Sequence, residues 1–137
     1  MLTLIRNPRI ISQEIEGPRD ILLAGERIEA VAEPGTISIS GAEVEELDAT
    51  GLVLMPGMVD SHVHLIGGGG EGGPATRAPE IRVEDIVGNG VTTVIGCLGT
   101  DGITRSMRAL LAKARGLDDE GVTAYIFAGS YEVPVQT

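Results

Sequence analysis

Hydrophobic and polar positions alternate with a period of two along the first third of the chain, and no helical period there outlasts two turns. Residues 2–5 and 9–15 read as strands on either side of Asn7-Pro8, a turn signal. Residues 20–24 and 27–32 flank Gly25-Glu26, the pattern of a tight hairpin. Residues 36–40 set Ile37 and Ile39 on one face, and residues 44–47 follow Gly41 as a further strand. Residues 1–54 are therefore expected to form a small N-terminal β-sheet domain.

After Met55-Pro56-Gly57 the pattern changes. Residues 58–66 are a β-branched run and residues 67–74 a loop. Within residues 78–87, Ile81, Val83, Ile86 and Val87 fall at near-helical spacing, and Gly88 and Gly90 stop them. Residues 91–98, VTTVIGCL, read as a strand of the fully buried kind. Met107, Leu110, Leu111, Ala114 and Leu117 lie on one face of a helix that Gly121 ends, and residues 122–128 are another buried strand. Strand, helix, strand, helix, strand predicts right-handed βαβ units on a parallel sheet. Three such strands leave a sheet open with an unpaired edge, and a complete (β/α)8 TIM barrel needs about 250 residues. The expected fold class is thus α/β: a small β-domain, then residues 55–137 as the first three strands and two helices of a TIM barrel, incomplete. A small open three-stranded sheet is the alternative.

Composition narrows the partners. The 137 residues carry 10 basic against 20 acidic side chains, a net charge of -10 spread along the chain. That balance argues against nucleic acid and anionic membrane surfaces. One cysteine, Cys97, excludes an internal disulfide framework and fits a reducing cytoplasm. The first ten residues lack the pattern of a signal peptide, and no apolar run nears the ~18 residues that span a bilayer. The expectation is a soluble, cytoplasmic chain with no nucleic-acid or membrane partner. Tyr125, Phe127 and Tyr131 are its only aromatics, so its largest core anchors are bunched at one end.

Candidate chemistry starts from the two histidines, in Asp60-Ser61-His62-Val63-His64. On a strand, positions i and i+2 point the same way, so both imidazoles share a face with Asp60. Two neutral imidazoles near a carboxylate suit a divalent metal such as zinc; the plainer reading is two polar residues hydrogen-bonded to water. Two ligands are half a zinc site, and the sequence offers no evident third. Cys97, on an expected buried strand, reads as a small apolar residue without an evident histidine partner for nucleophilic work. Lys113, the only lysine, lies off the apolar face of its helix and reads as solvated.

The run Leu54-Met55-Pro56-Gly57-Met58-Val59-Asp60-Ser61-His62-Val63-His64 resembles the signature of the amidohydrolase superfamily. Its continuation, Leu65-Ile66-Gly67-Gly68-Gly69-Gly70-Glu71-Gly72-Gly73-Pro74, resembles the β-aspartyl (isoaspartyl) dipeptidase branch. Thr76-Arg77-Ala78-Pro79-Glu80, Leu98-Gly99-Thr100-Asp101 and Gly129-Ser130-Tyr131-Glu132-Val133-Pro134 agree with it. The resemblance implies a zinc-dependent hydrolase of small β-aspartyl dipeptides, with two zinc ions, a metal-bridged hydroxide as nucleophile and a homo-oligomeric complete enzyme. His62 and His64 would bind one metal. Gly69, Gly70 and Glu71 would hold substrate, the Glu71 carboxylate receiving the free α-ammonium group. Thr100 and Tyr131 would line the pocket, and Tyr131 would act in catalysis by polarising the scissile carbonyl and stabilising its oxyanion. Glu71, Thr100 and Tyr131 each follow one of the expected strands, at the end where barrel active sites gather.

Each residue also has a plainer role. The glycine run could be a flexible linker; it lacks the Lys-Ser/Thr of a phosphate loop, which argues against nucleotide binding. Glu71 could be solvated, Tyr131 packed on the core and Thr100 part of a turn. The family's bridging lysine comes from a later strand, so the resemblance gives Lys113 no such role. That lysine, the later histidines and the metal-binding aspartate would lie beyond Thr137, so these residues alone are expected not to hydrolyse a peptide. The rival readings are another amidohydrolase (a cyclic-amide hydrolase or deaminase) and a noncatalytic remnant or scaffold that pairs with a second polypeptide.

Overall fold

The computed structural model describes residues 1–102 and 104–137. The chain divides into two compact units, Met1–Pro56 and Gly57–Thr137. The first holds a four-stranded sheet of β1 (Leu2–Arg6), β4 (Asp20–Ala24), β5 (Arg27–Ala32) and β6 (Val44–Asp48), in the order β5-β4-β1-β6. A second sheet joins β2 (Arg9–Ile11), β3 (Glu16–Pro18) and β7 (Val53–Leu54) in the order β3-β2-β7. β1 runs antiparallel to β4, with Leu4 opposite Leu22, and parallel to β6. Leu4 and Ile21 are almost wholly buried.

Two expected strands come out differently. The strand foreseen over residues 9–15 ends at Ile11, because the Ser12 hydroxyl accepts the Ile15 N–H at 3.0 Å and the Ser12 N–H donates to the Ile15 carbonyl at 3.0 Å. This side-chain turn folds the chain back, so that β3 pairs with β2. Residues 36–40 form no strand. Ile37 and Ile39 are half-buried as the alternation requires, but the Thr36 hydroxyl and N–H both donate to the Glu33 carbonyl, at 2.7 and 3.2 Å. The start of the segment is thereby closed into a turn.

A buried carboxylate ties the first unit together. Asp20, 1% exposed, accepts from Arg6 Nη1 at 2.8 Å, the Asn7 N–H at 2.9 Å and the Gly35 N–H at 2.9 Å. Arg6 also pairs with Glu46 on β6 at 3.0 Å. One side chain thus joins the end of β1, the turn after it, the start of β4 and the segment beyond β5. Burial pushes the Asp20 pKa up, but the Gly35 N–H, the Arg6 guanidinium and the Asn7 N–H outweigh it and hold the carboxyl below its usual range.

The second unit is a parallel sheet of β8 (Met58–Val63), β9 (Val91–Gly96) and β10 (Thr123–Ile126), in the order β10-β9-β8, with helices α1 (Val83–Val87) and α2 (Met107–Asp119). The expected parallel βαβαβ order is observed. The core is aliphatic, with Leu65, Ile86, Val94, Leu110, Ala114, Leu117 and Val122 all nearly inaccessible. The Ser106 hydroxyl caps α2 by accepting the Ala109 N–H at 3.3 Å. Leu110, Ala114 and Leu117 form its buried stripe, while Leu111 on the edge of that stripe stays 39% exposed.

Three expectations need correcting here. α1 covers only Val83–Val87 rather than 78–87. The Ala78 carbonyl, which a helix from residue 78 would offer to the Arg82 N–H, accepts Arg105 Nη2 at 3.1 Å, and the Arg82 N–H reaches Asp85 Oδ2 at 3.4 Å instead. β9 and β10 are covered on one face only within this unit: Val94 is buried, whereas Tyr125 on β10 is 59% exposed. The aromatics are not core anchors, since Phe127 and Tyr131 are also exposed. Among the described residues no helix is long and apolar enough to cross a membrane.

Asp20→Asn is expected to destabilise the chain by on the order of 3 kcal/mol at pH 7. Because the folded carboxyl titrates below its unfolded value of about 3.9, its contribution is complete above that pH and is lost as pH falls through the folded value. Denaturant melts should therefore show a weaker acid dependence in the variant; an unchanged slope below pH 4 contradicts this. Gly116 sits inside α2 with open space where a Cβ would go, so Gly116→Ala should raise stability by about 0.5–1 kcal/mol in the same melts.

Candidate functional site

The histidines leave β8 at its C-terminal end. β8 and β9 pair Asp60 with Val94 and Val63 with Gly96, three residues against two, so a bulge lies beneath the histidine pair. The rings of His62 and His64 are 5.6 Å apart, tilted by 45°. Asp60 turns to its own backbone, its Oδ1 accepting the His62 N–H at 3.1 Å. The third group beside the imidazoles is Cys97: metal-binding atoms of His62, His64 and Cys97 all lie within 4.8 Å of one another.

This corrects the reading of Cys97 as simply a small apolar residue of a buried strand. The Cys97 N–H donates to the Val63 carbonyl at 2.9 Å, which continues the β8–β9 ladder one step past its end. Gly96, one residue earlier, faces the aliphatic core, where a Cβ would meet Leu65 and Leu110. Cys97 therefore points to the opposite face, with the histidines. Burial pushes its thiol pKa up, and the charge of Asp60 adds to the shift. Two imidazole nitrogens and one sulfur make a donor set that suits zinc.

The glycine run is a built loop rather than a slack linker. The Gly67 N–H donates to His64 at 2.8 Å and the Gly68 carbonyl accepts from Ala78 at 2.8 Å. Gly69 forms an antiparallel bridge with Arg77. Gly67 has φ +83°, and a Cβ there would lie 2.2 Å from the Ala78 carbonyl oxygen. At Gly68 a Cβ would stand 2.3 Å from His64 Nδ1, so the loop backbone lies directly against the imidazole.

Beyond the histidines, Glu71 and Thr100 meet, the Thr100 hydroxyl donating to the Glu71 carboxylate. That bond, the Glu71 backbone N–H and, more weakly, the charges of His64 and Arg105 hold the Glu71 carboxyl below its usual range. Gly69, Gly70, Glu71 and Thr100 share one cleft of about 430 Å³ with Arg77 and Asp101. Gly69 also borders a second cleft, of about 550 Å³, that contains His64. The substrate candidates and the metal candidates thus adjoin. Tyr131 stands apart from that grouping, 76% exposed in the segment after β10.

A network that the sequence reading did not single out holds this end of the sheet. Arg105, 8% exposed, donates from Nε to the Ile66 carbonyl at 3.0 Å and from Nη2 to the Ala78 carbonyl at 3.1 Å. Its Nη1 reaches Asp101 at 3.3 Å, and Asp101 also pairs with Arg77 at 3.1 Å. The i, i+4 spacing of Asp101 and Arg105 before α2 was the available signal. Lys113, expected to be solvated, is half-buried and lies 3.8 Å from Glu80.

Residues 45–116 match the amidohydrolase family. The β-aspartyl dipeptidase of Fervidobacterium islandicum AW-1 has a similar structure: TM-score 0.92 and 47% identity over 100% of this chain and 37% of that one. The same enzyme in complex with a β-Asp-Leu dipeptide gives TM-score 0.90 at 47% identity, over 100% and 35% of the two chains. A dihydroorotase of Staphylococcus epidermidis is 39% identical over 70 residues, 51% of this chain and 16% of its own length. The chain thus spans a little over a third of the similar dipeptidase and about a sixth of the curated relative. The fold is α/β, covering part of an amidohydrolase TIM barrel.

Gly68→Ala is expected to push the His64 ring aside and, where His64 serves as a metal ligand, to weaken divalent-metal binding by roughly 10–100-fold, as loss of a ligand's support does. Calorimetric titration with zinc measures it; undiminished affinity in a folded variant would show that the glycine does not position the ring.

Proposed function

The chain belongs to the amidohydrolase family, and on that premise we propose that it carries part of the active site of a zinc-dependent isoaspartyl dipeptidase. The observation that carries this reading is Glu71, an ionised carboxylate held by Thr100 in a cleft that adjoins the histidine pair. A β-aspartyl dipeptide presents a free α-ammonium group, and a fixed carboxylate is its natural acceptor. The dipeptidase structures support the same reading, one of them holding β-Asp-Leu.

In this reading His62 and His64 hold one zinc ion. Bound there, zinc activates water and polarises the scissile carbonyl. Glu71 receives the α-ammonium group, Thr100 orients Glu71, and the backbone of Gly69 and Gly70 walls the substrate against it. Tyr131 donates its hydroxyl proton toward the oxyanion that develops on the carbonyl oxygen; its exposure leaves the ring free to meet substrate. The 137 residues alone do not turn over a dipeptide in this reading. Among the described residues, His62, His64 and Cys97 are the one cluster of three side chains able to hold a metal, and the proposed chemistry uses two ions.

A cyclic-amide hydrolase is the second reading, favoured by the dihydroorotase match. Glu71→Gln separates the two when placed in the complete enzyme. The dipeptidase reading expects kcat/KM for β-aspartyl dipeptides to fall about 10–100-fold, the scale of losing a hydrogen bond to a charged group, with zinc content unchanged. Undiminished dipeptide turnover, or turnover of a cyclic amide instead, would overturn it.

A further inference from the structure

We propose that Cys97 is a third protein ligand, so that His62, His64 and Cys97 form a two-nitrogen, one-sulfur metal site within this chain. The inference rests on the reading of the two histidines as metal ligands and adds the sulfur to it. Three observations carry it. The donor atoms of all three side chains lie within 4.8 Å of one another. Tetrahedral zinc, with bonds of about 2.0–2.1 Å to nitrogen and 2.3 Å to sulfur, sets its ligand atoms about 3.3–3.6 Å apart. The three groups thus need to close by no more than about 1.5 Å, and the side chain of exposed His62 is free to turn.

The second observation is the backbone. The Cys97 N–H is fixed to the Val63 carbonyl at 2.9 Å, between the two histidines in sequence, and its sulfur lies 3.7 Å from the same oxygen. The sulfur is held at this place by the sheet itself. The third is what Cys97 does not do. It belongs neither to the buried aliphatic cluster nor to the hydrophobic residues packed against it, although its neighbour Leu98 does. Its sulfur therefore stands outside that core, on the face of the histidines.

Coordination has defined consequences. The thiol proton passes to solvent as the sulfur donates an electron pair to the ion. One thiolate lowers the net charge of the site from +2 to +1 and biases it toward soft, thiophilic ions such as Cd²⁺ over hard ones. Three protein ligands leave a tetrahedral ion one open position, for water, substrate or a further ligand.

Because Cys97 is the only cysteine, every thiol signal reports on it. The test is titration of the chain with Co²⁺, read by absorption. One equivalent is expected to give a near-ultraviolet sulfur-to-cobalt charge-transfer band together with tetrahedral visible bands. Cys97→Ser and Cys97→Ala should abolish the charge-transfer band and weaken Co²⁺ binding at least about 100-fold, more than loss of an outer support costs. Circular dichroism checks that both variants fold. As a readout that needs no variant, one equivalent of Cd²⁺ should protect the thiol from alkylation. Co²⁺ binding without the sulfur band, but lost in His62→Ala and His64→Ala, would overturn the role of Cys97 and leave the histidine reading standing. A sulfur band that survives both histidine variants would overturn the shared site, as would no binding at all.

Discussion

β8 and β9 run parallel, and their hydrogen bonds continue past the last paired residues through the Cys97 N–H to Val63. The two segments leaving their C-terminal ends are therefore forced alongside each other. Four contacts of the candidate site cross that seam. His64 meets Cys97, Glu71 meets Thr100, Arg77 meets Asp101 and the Ile66 carbonyl meets Arg105. An antiparallel pairing would have set the end of one strand against the start of the other and scattered these partners. The bulge in β8 adds one residue at this edge, which re-aims the side chains at the strand end where the histidines sit.

The buried guanidinium of Arg105 gives the loop its stiffness. A charge this inaccessible is tolerable only when its donors are met; two peptide carbonyls from opposite ends of the glycine loop and the Asp101 carboxylate meet them. The same cation contributes to keeping Glu71 ionised. In a chain of net charge -10, this small cationic cluster beneath the cleft counters the acidity of its surroundings. Glycine completes the arrangement from the other side, since only a residue without Cβ lets the loop backbone rest against His64.

Much of this was legible along the chain. The histidine pair follows from a period of two, and the βαβαβ order from alternating periods whose residues are neighbours in sequence. Contacts made between elements were not legible in that way. Cys97 sits in an apolar run and reads as core; only the pairing of β8 with β9 reveals that its face is that of the histidines and not of Leu110. α1 loses its first turn because the Ala78 carbonyl is taken by Arg105, far along the chain. Residues 36–40 keep their alternation but not their ladder, because a threonine hydroxyl closes the turn from Glu33. The aromatics mislead for a related reason: bulk suggests burial, yet the face of β10 that carries Tyr125 has no cover within its unit.

The family match spans residues 45–116, which include the histidines, Cys97, Glu71 and Thr100. Membership alone therefore does not separate a dipeptidase from a cyclic-amide hydrolase, and the separation has to come from charge. A carboxylate kept ionised by a hydroxyl and nearby cations holds its charge through the neutral range and well below it, and such a group attracts a cation and repels an anion. A β-aspartyl dipeptide offers an ammonium group at the end away from its leaving group. A cyclic amide offers only neutral N–H donors and, in dihydroorotate, an added negative charge. Although the dipeptide also carries carboxylates, its ammonium group can make a direct charge-assisted hydrogen bond to Glu71 that a cyclic amide without a cation cannot, and this asymmetry is why the dipeptidase reading is preferred.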